Sequence, residues 1–220
     1  RNGYRNSLSS DGNVVAVSGR YNDGNGSNSG HVRVYAYDAI SSQWDQMGAD
    51  IDGEAAGDES GKSVSISSDG TILAIGAIFN DGNGSSSGSV RVYQFNDTEN
   101  SWNQMGDDIN GVAAGDFLGY SVSLSSYGNI VAIGARDNDG NGSNSGQVRV
   151  YQFNDTGSSW IQLGSDIIGE AAGDQSGYSV SLSSDGNIVA IGAANNDGNG
   201  SNSGHVRVFV FESTLFQWSQ

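Results

Sequence analysis

Four aspartates, Asp23, Asp81, Asp139 and Asp197, recur at one spacing, each inside an Asn-Asp-Gly-Asn-Gly-Ser loop. Carboxylates beside Gly, Asn and Ser suggest calcium, which takes roughly six to eight oxygen ligands. Each loop offers a single carboxylate, so a useful metal site would have to borrow another, from Asp50, Asp108 or Asp166. The alternative is that Asp, Asn and Gly supply turn conformations with positive φ and Asx-type hydrogen bonds. That alternative is favoured, so calcium is not the expected cofactor, and no other cofactor is expected. The same loops place Asn25, Asn83, Asn141 and Asn199 in Asn-Gly-Ser triplets, and Asn96 and Asn154 stand in Asn-Asp-Thr. All six are N-glycosylation acceptor sequences in loop context. Some are expected to be occupied in a secreting eukaryote; in a bacterium they would mean turns alone.

Other chemistry is sparse. Arg33, Arg91, Arg149 and Arg207 recur at one position. They could ring a pore, but one salt bridge per unit, to an acid such as Asp58, Asp116 or Asp174, is the favoured expectation. Trp44, Trp102, Trp160 and Trp218, each followed two residues later by Gln, could stack on sugars, although packing between units is the simpler role. His31 and His205 have no counterpart in the middle copies, where Ser89 and Gln147 stand. No Cys nucleophile, phosphate loop or acid–base pair is visible. Catalysis needs one asymmetric constellation, whereas near-exact repetition makes equivalent surfaces, so the expectation is that the chain is not an enzyme.

The elements that must position these residues follow from the repetition itself. The four tryptophans, the Val-Arg-Val-Tyr copies (Val32–Tyr35, Val90–Tyr93, Val148–Tyr151, with Val206–Phe209 as the fourth) and the four loops all keep a period of 58 residues. A fixed period without insertions means one supersecondary unit copied and stacked. In the third copy, Ser121–Ser126 alternates polar with apolar residues, as a strand does. Tyr127-Gly128-Asn129 turns the chain, where the sister copies read Asp-Gly. Ile130–Ala135 is a continuous apolar run, predicting a strand buried on both faces. Gln147–Phe153 alternates again, and Trp160–Gly164 makes a fourth, more polar strand. Four antiparallel strands per unit predict an all-β, β-propeller-type repeat, favoured over a β-solenoid. The chain is expected to form one assembly over 1–220, with blades at about 1–58, 59–116, 117–174 and 175–220, the last outer strand incomplete. A closed four-bladed ring, half of an eight-bladed dimer and part of a longer propeller or filament remain open. The ends fall inside the repeat, which favours the last and suggests an excised piece.

Composition narrows the partners. Twenty-five acids against nine bases give a net charge of −16. That disfavours nucleic acid and anionic membranes, which need a basic footprint. There is no cysteine, hence no disulfide. No stretch is apolar enough to insert into a bilayer.

At Gly119-Tyr-Ser-Val-Ser123, Ala132-Ile-Gly-Ala135 and Gly146-Gln-Val-Arg-Val-Tyr151 the chain resembles the FG-GAP repeat family, the blades of integrin α-subunit propellers and of many microbial surface proteins. The pattern recurs from Gly61 to Tyr93 and from Gly177 to Phe209, and less faithfully from Gly3 to Tyr35, where Arg5-Asn6 and Ser18-Gly19 depart from it. The shortened first turn is similar to the microbial and algal variant. It leaves one carboxylate, and none at Tyr127, where integrin-type blades carry a calcium loop, so the family's metal site does not carry over. The resemblance implies a secreted or cell-surface structural or adhesive module that presents rows of Asn/Gly/Ser loops, within a longer propeller, array or filament. Its partners would be protein or glycan surfaces, or copies of itself. The alternative is a lectin-like or weakly calcium-assisted ligand-binding propeller.

Overall fold

A computed structural model describes residues 3–220 and shows four antiparallel sheets with no helix among those residues. The first blade comprises β1 (Asn6–Leu8), β2 (Val14–Ser18), β3 (His31–Asp38), β4 (Gln43–Gln46) and the two-residue β5 (Ile51–Asp52). The second comprises β6 (Ser63–Ile66), β7 (Ile72–Ala77), β8 (Ser89–Asn96), β9 (Ser101–Gln104) and β10 (Ile109–Asn110). The third comprises β11 (Leu118–Leu124), β12 (Ile130–Ala135), β13 (Gln147–Asn154), β14 (Ser159–Gln162) and β15 (Ile167–Ile168). The fourth comprises β16 (Ser176–Leu182), β17 (Ile188–Ala193), β18 (His205–Glu212) and β19 (Gln217–Ser219). Within each blade the four main strands pair in chain order, which makes this an all-β, propeller-type fold. The two-residue strands β5, β10 and β15 were not expected. Each pairs with the start of its blade's third strand, beyond the reach of the fourth.

Consecutive blades share their cores. The face of each blade turned toward the next buries Val90 and Val92 in blade two and Val148 and Val150 in blade three. The face turned back toward the preceding blade carries Val131, Ile133, Tyr151 and Trp160 in blade three, packed on Ile72, Ala74, Val90 and Val92. The second strand is buried on both faces because β7 and β12 sit between two apolar layers, as their continuous apolar sequences require. First strands of neighbouring blades touch one another, so the first-strand edges converge on the axis. Glycine permits that convergence: a Cβ on Gly76 would stand 2.2 Å from the Gly119 carbonyl oxygen, and one on Gly134 2.1 Å from that of Gly177.

The tryptophans tie the outer edges. The indole N–H groups of Trp102, Trp160 and Trp218 donate to the carbonyls of Met47, Met105 and Leu163 in the preceding blade at 2.7–2.8 Å. These three therefore pack between blades. The row of blades does not close into a four-membered ring: Val206 and Val208 of the fourth blade are 66% and 49% exposed, and Leu8 of the first is 58% exposed.

Candidate functional site

Each second strand ends, and each third strand begins, at the edge that carries the repeated Asn/Gly/Ser loop. These loops are rigidly built. Asp23, Asp81, Asp139 and Asp197 each accept the backbone N–H five residues on, at 2.6–2.8 Å. The donors, Asn28, Ser86, Asn144 and Asn202, all have positive φ, which the carboxylate contact stabilises. No group of three or more His, Cys, Asp or Glu side chains is poised for a metal ion among the described residues. Nor do the neighbouring acids lend a ligand. Asp50 accepts from Arg33 and Gln46, Asp108 from Gln104, and Asp166 from Arg149 and Gln162.

The six glycosylation triplets fall into two structural groups. The side-chain amides of Asn25, Asn83 and Asn141 each donate to two backbone carbonyls of the following connection: Gly53 and Glu54, Gly111 and Val112, Gly169 and Glu170. Both amide protons are engaged. The amide nitrogens of Asn96, Asn154 and Asn199 donate no hydrogen bond among the described residues. Asn96 and Asn154 close Asx-turns instead, their carbonyl oxygens accepting from the N–H of Thr98 and Thr156 at 3.0 and 3.1 Å. They stand at the far end of the third strand from Asn199, which shares the loop edge of Asn25, Asn83 and Asn141.

The arginine ladder is structural, with partners other than the expected ones. Arg33 and Arg149 grip Asp50 and Asp166. Arg91 and Arg207 donate to the carbonyls of Asp52 and Ile168, with Glu54 and Glu170 3.9 Å away. Asp58, Asp116 and Asp174 are buried; they cap the N–H groups of Ala55, Ala113 and Ala171. His31 lies 3.4 Å from Asp50, and His205 3.4 Å from Glu170, in separate blades.

Sequence reasoning missed a cluster at the axis, on the same edge as the repeated loops. Of nine bases, four form the ladder and Arg1 lies outside the described residues. The other four, Arg5, Arg20, Lys62 and Arg136, meet around tyrosines. The Lys62 ammonium is buried, bonded to the Tyr4 hydroxyl at 3.0 Å and seated 4.3 Å from the centre of the Tyr120 ring. Arg136 covers the Tyr120 ring at 4.1 Å, and Arg20 covers Tyr4 and Tyr21 at 4.6 and 4.5 Å. Tyr178 packs on Tyr120 with ring centres 5.2 Å apart. Glu59 pairs with Arg20 and Asp137 with Arg136, so two acids face four bases. A ring face attracts a cation, and does so more strongly where water is excluded. Burial alone would raise the Tyr4 phenol, but the hydrogen bonds and charges of Lys62 and Arg20 bring it below its ordinary value. Burial and the neighbouring Tyr178 hydroxyl raise Tyr120. The signal available in the sequence was failure of the repeat. Positions 4, 62, 120 and 178 read Tyr, Lys, Tyr, Tyr, and positions 20, 78, 136 and 194 read Arg, Ile, Arg, Ala.

The fold is shared with solved enzymes. The chain aligns with the periplasmic gluconolactonase of Pseudomonas aeruginosa at a TM-score of 0.59 and 17% identity, covering 98% of this chain and 55% of that one. It aligns with candidate 6-phosphogluconolactonases from Bacteroides fragilis (TM-score 0.59, 10% identity, 96% and 51% covered) and Bacteroides uniformis (0.53, 13%, 97% and 69%). The chain thus spans about half the length of the first two structures. At these identities the likeness shows the fold alone. It nevertheless corrects the expectation that the chain is not an enzyme. That expectation rested on repeated blades offering only equivalent surfaces, yet lactonases are built on this architecture, and here the axial cluster is a single asymmetric constellation. No curated protein matches the sequence significantly. The FG-GAP repeat model matches residues 50–93, 110–151 and 169–209, more than half of the chain, on the strands and loops just described. The chain belongs to the FG-GAP repeat family.

Proposed function

We propose that the chain is a secreted or cell-surface structural and adhesive module that presents its rigid Asn/Gly/Ser loops along one edge, as part of a longer array. The observation that carries this is the loop clamp. Asn25, Asn83 and Asn141 pin three successive loops through the same pair of hydrogen bonds, so each loop is offered in one orientation at a fixed interval. Repeated rigid contacts convert weak single affinities into avidity when the partner is itself repetitive, as polysaccharides and surface layers are. Asn96, Asn154 and Asn199 are the acceptors best placed to carry glycans, since conjugation there breaks no amide hydrogen bond. Asn25, Asn83 and Asn141 would each lose at least one, since conjugation replaces one of two engaged amide hydrogens. Adsorption to a panel of immobilised polysaccharides tests the loop reading. The wild-type chain is expected to bind, and Asp23, Asp81, Asp139 and Asp197→Asn together, which weaken every loop, are expected to abolish retention. Unchanged retention, or no retention on any surface, would count against it.

A second reading, ligand binding at the axis, is favoured by the buried Lys62 ammonium. In a chain of net charge −16, four bases against two acids make a local cationic site lined by aromatic faces, suited to a small carboxylate or sugar acid. The lactonase neighbours point to the same class of ligand. Calorimetric titration with gluconate and its lactone, with Lys62→Met as control, tests this reading. Heat that persists in the variant would refute the axial assignment.

A further inference from the structure

We propose that the clefts beside Asn96 and Asn154 seat the first sugar of an N-linked glycan carried by each of those asparagines, holding the glycan against its own blade. The inference rests on the reading of Asn96 and Asn154 as glycan acceptors and adds where their sugar lies. Two cavities of about 420 Å³ open on the outer hairpins of the second and third blades. That volume falls within the roughly 300–1,000 Å³ of small-ligand sites. Residues 94–98 and 103–105 line the first, and their equivalents 58 positions on, 152–156 and 161–163, line the second. Each cavity is therefore walled in part by its own acceptor asparagine. Both are built within the second and third blades, with Phe216 from a turn of the fourth added to the second cavity.

The sequence couples cleft to acceptor. Gln94 and Gln152 stand two positions before Asn96 and Asn154, on the same face of the strand. In the first and fourth blades both members of the pair are missing: Ala36 and Asp38, and Val210 and Glu212, take their places. The side-chain amides of Gln94 and Gln152 make no hydrogen bond among the described residues. The acceptors are fixed in place. Asn96 Oδ1 accepts from the N–H groups of Thr98 and Glu99 at 3.0 and 3.3 Å, and Asn154 Oδ1 from that of Thr156 at 3.1 Å, leaving each amide nitrogen for the sugar. Transfer from a lipid-pyrophosphate-linked oligosaccharide joins that nitrogen to the anomeric carbon, breaks the carbon's bond to the pyrophosphate oxygen and releases one amide proton. The first sugar of such a chain, N-acetylglucosamine, is neutral and carries hydroxyls and an acetamide. Glutamine amides offer these groups both a donor and an acceptor. Neither lining includes a Lys or Arg, which suits a neutral sugar. Met105 in the second blade, and Leu163 with Phe216 at the third, add apolar surface for its methyl group and ring face.

The test is to secrete the chain from cells that add N-glycans, map occupancy by peptide mass spectrometry, and time release by peptide N-glycosidase under native conditions. That enzyme must reach the first sugar. Asp38→Asn with Ile40→Thr places a reference acceptor at the same turn of the first blade, where Ala36 stands in place of the glutamine. Release at Asn96 and Asn154 is expected to be about tenfold slower than at that reference, the equivalent of one to two hydrogen bonds. Gln94→Ala is expected to speed release at Asn96 about fivefold and leave Asn154 unchanged, and Gln152→Ala to do the reverse. A cleft that merely obstructs the enzyme would not respond to either substitution. Both glutamines are exposed, and circular dichroism verifies that the sheets are intact. Glycans released as fast as the reference, or at rates that ignore both glutamine substitutions, overturn the seating while the acceptor reading stands. Absence of glycan from both asparagines overturns the two together.

Discussion

Tyr4 is the residue whose chemistry departs furthest from its place in the repeat. Its phenol accepts from Lys62 at 3.0 Å and bonds Arg20 at 2.7 Å, and these cations outweigh burial to favour the phenolate. Spectrophotometric titration is expected to show one phenol ionising below the ordinary tyrosine range. Lys62→Met should return it upward; a titration unchanged by that substitution would remove Lys62 from the account. Asp50 makes the corresponding case among the acids. Its hydrogen bond from Arg33, opposed by burial and helped by Gln46, lowers it from 3.8 to about 2. A carboxyl that is more acidic in the folded state stabilises the fold above its unfolded pKa and loses that contribution as pH falls through the folded one. The Asp50 contribution is therefore complete above about pH 5 and fades between there and pH 2. Asp50→Asn is expected to lower thermal stability at neutral pH and to flatten its fall across that acid window, as followed by circular dichroism.

The elements depend on contacts that cross from blade to blade, and these can be tested one at a time. Trp160→Phe keeps an aromatic ring beside Phe153 but removes the indole N–H that reaches the Met105 carbonyl. Losing that bond and leaving the carbonyl half-buried is expected to cost on the order of 1 kcal/mol in denaturant unfolding. Gly88→Ala should cost more, about 2–4 kcal/mol, because two penalties add. Gly88 has φ +77°, and a Cβ there would lie 2.2 Å from the Leu118 carbonyl oxygen of the next blade. The strands themselves were legible in the sequence. Ile130–Ala135 announced a strand buried on both faces, and Gln147–Phe153 divided its side chains between two faces, as β13 does. What was not legible was any contact whose partner lies in another copy. A period of 58 residues says that units stack, but not that Trp160 meets Met105 or that Arg91 reaches the Asp52 carbonyl. Those depend on the angle between blades, which no local pattern encodes. The two-residue strands β5, β10 and β15 escaped for a related reason. Pairs such as Ile109-Asn110 are too short to show periodicity and are strands only because the third strand extends beyond its hairpin partner.

At the scale of the whole molecule, charge of one sign predominates. The chain carries a net charge of −16, so its carboxylates repel one another over distances comparable to the Debye length, about 10 Å at 0.1 M salt. What joins blade to blade is apolar: Val90 and Val92 of the second blade meet Val131 and Ile133 of the third. Apolar contact acts only at close range and is not weakened by screening, whereas the repulsion is. Raising sodium chloride from about 0.02 to about 0.5 M should therefore raise the melting temperature. Sodium sulfate should raise it further, since it also favours burial of apolar surface. A fold held mainly by its charge pairs would respond in the opposite sense. Thermal unfolding followed by circular dichroism across the salt series separates the two.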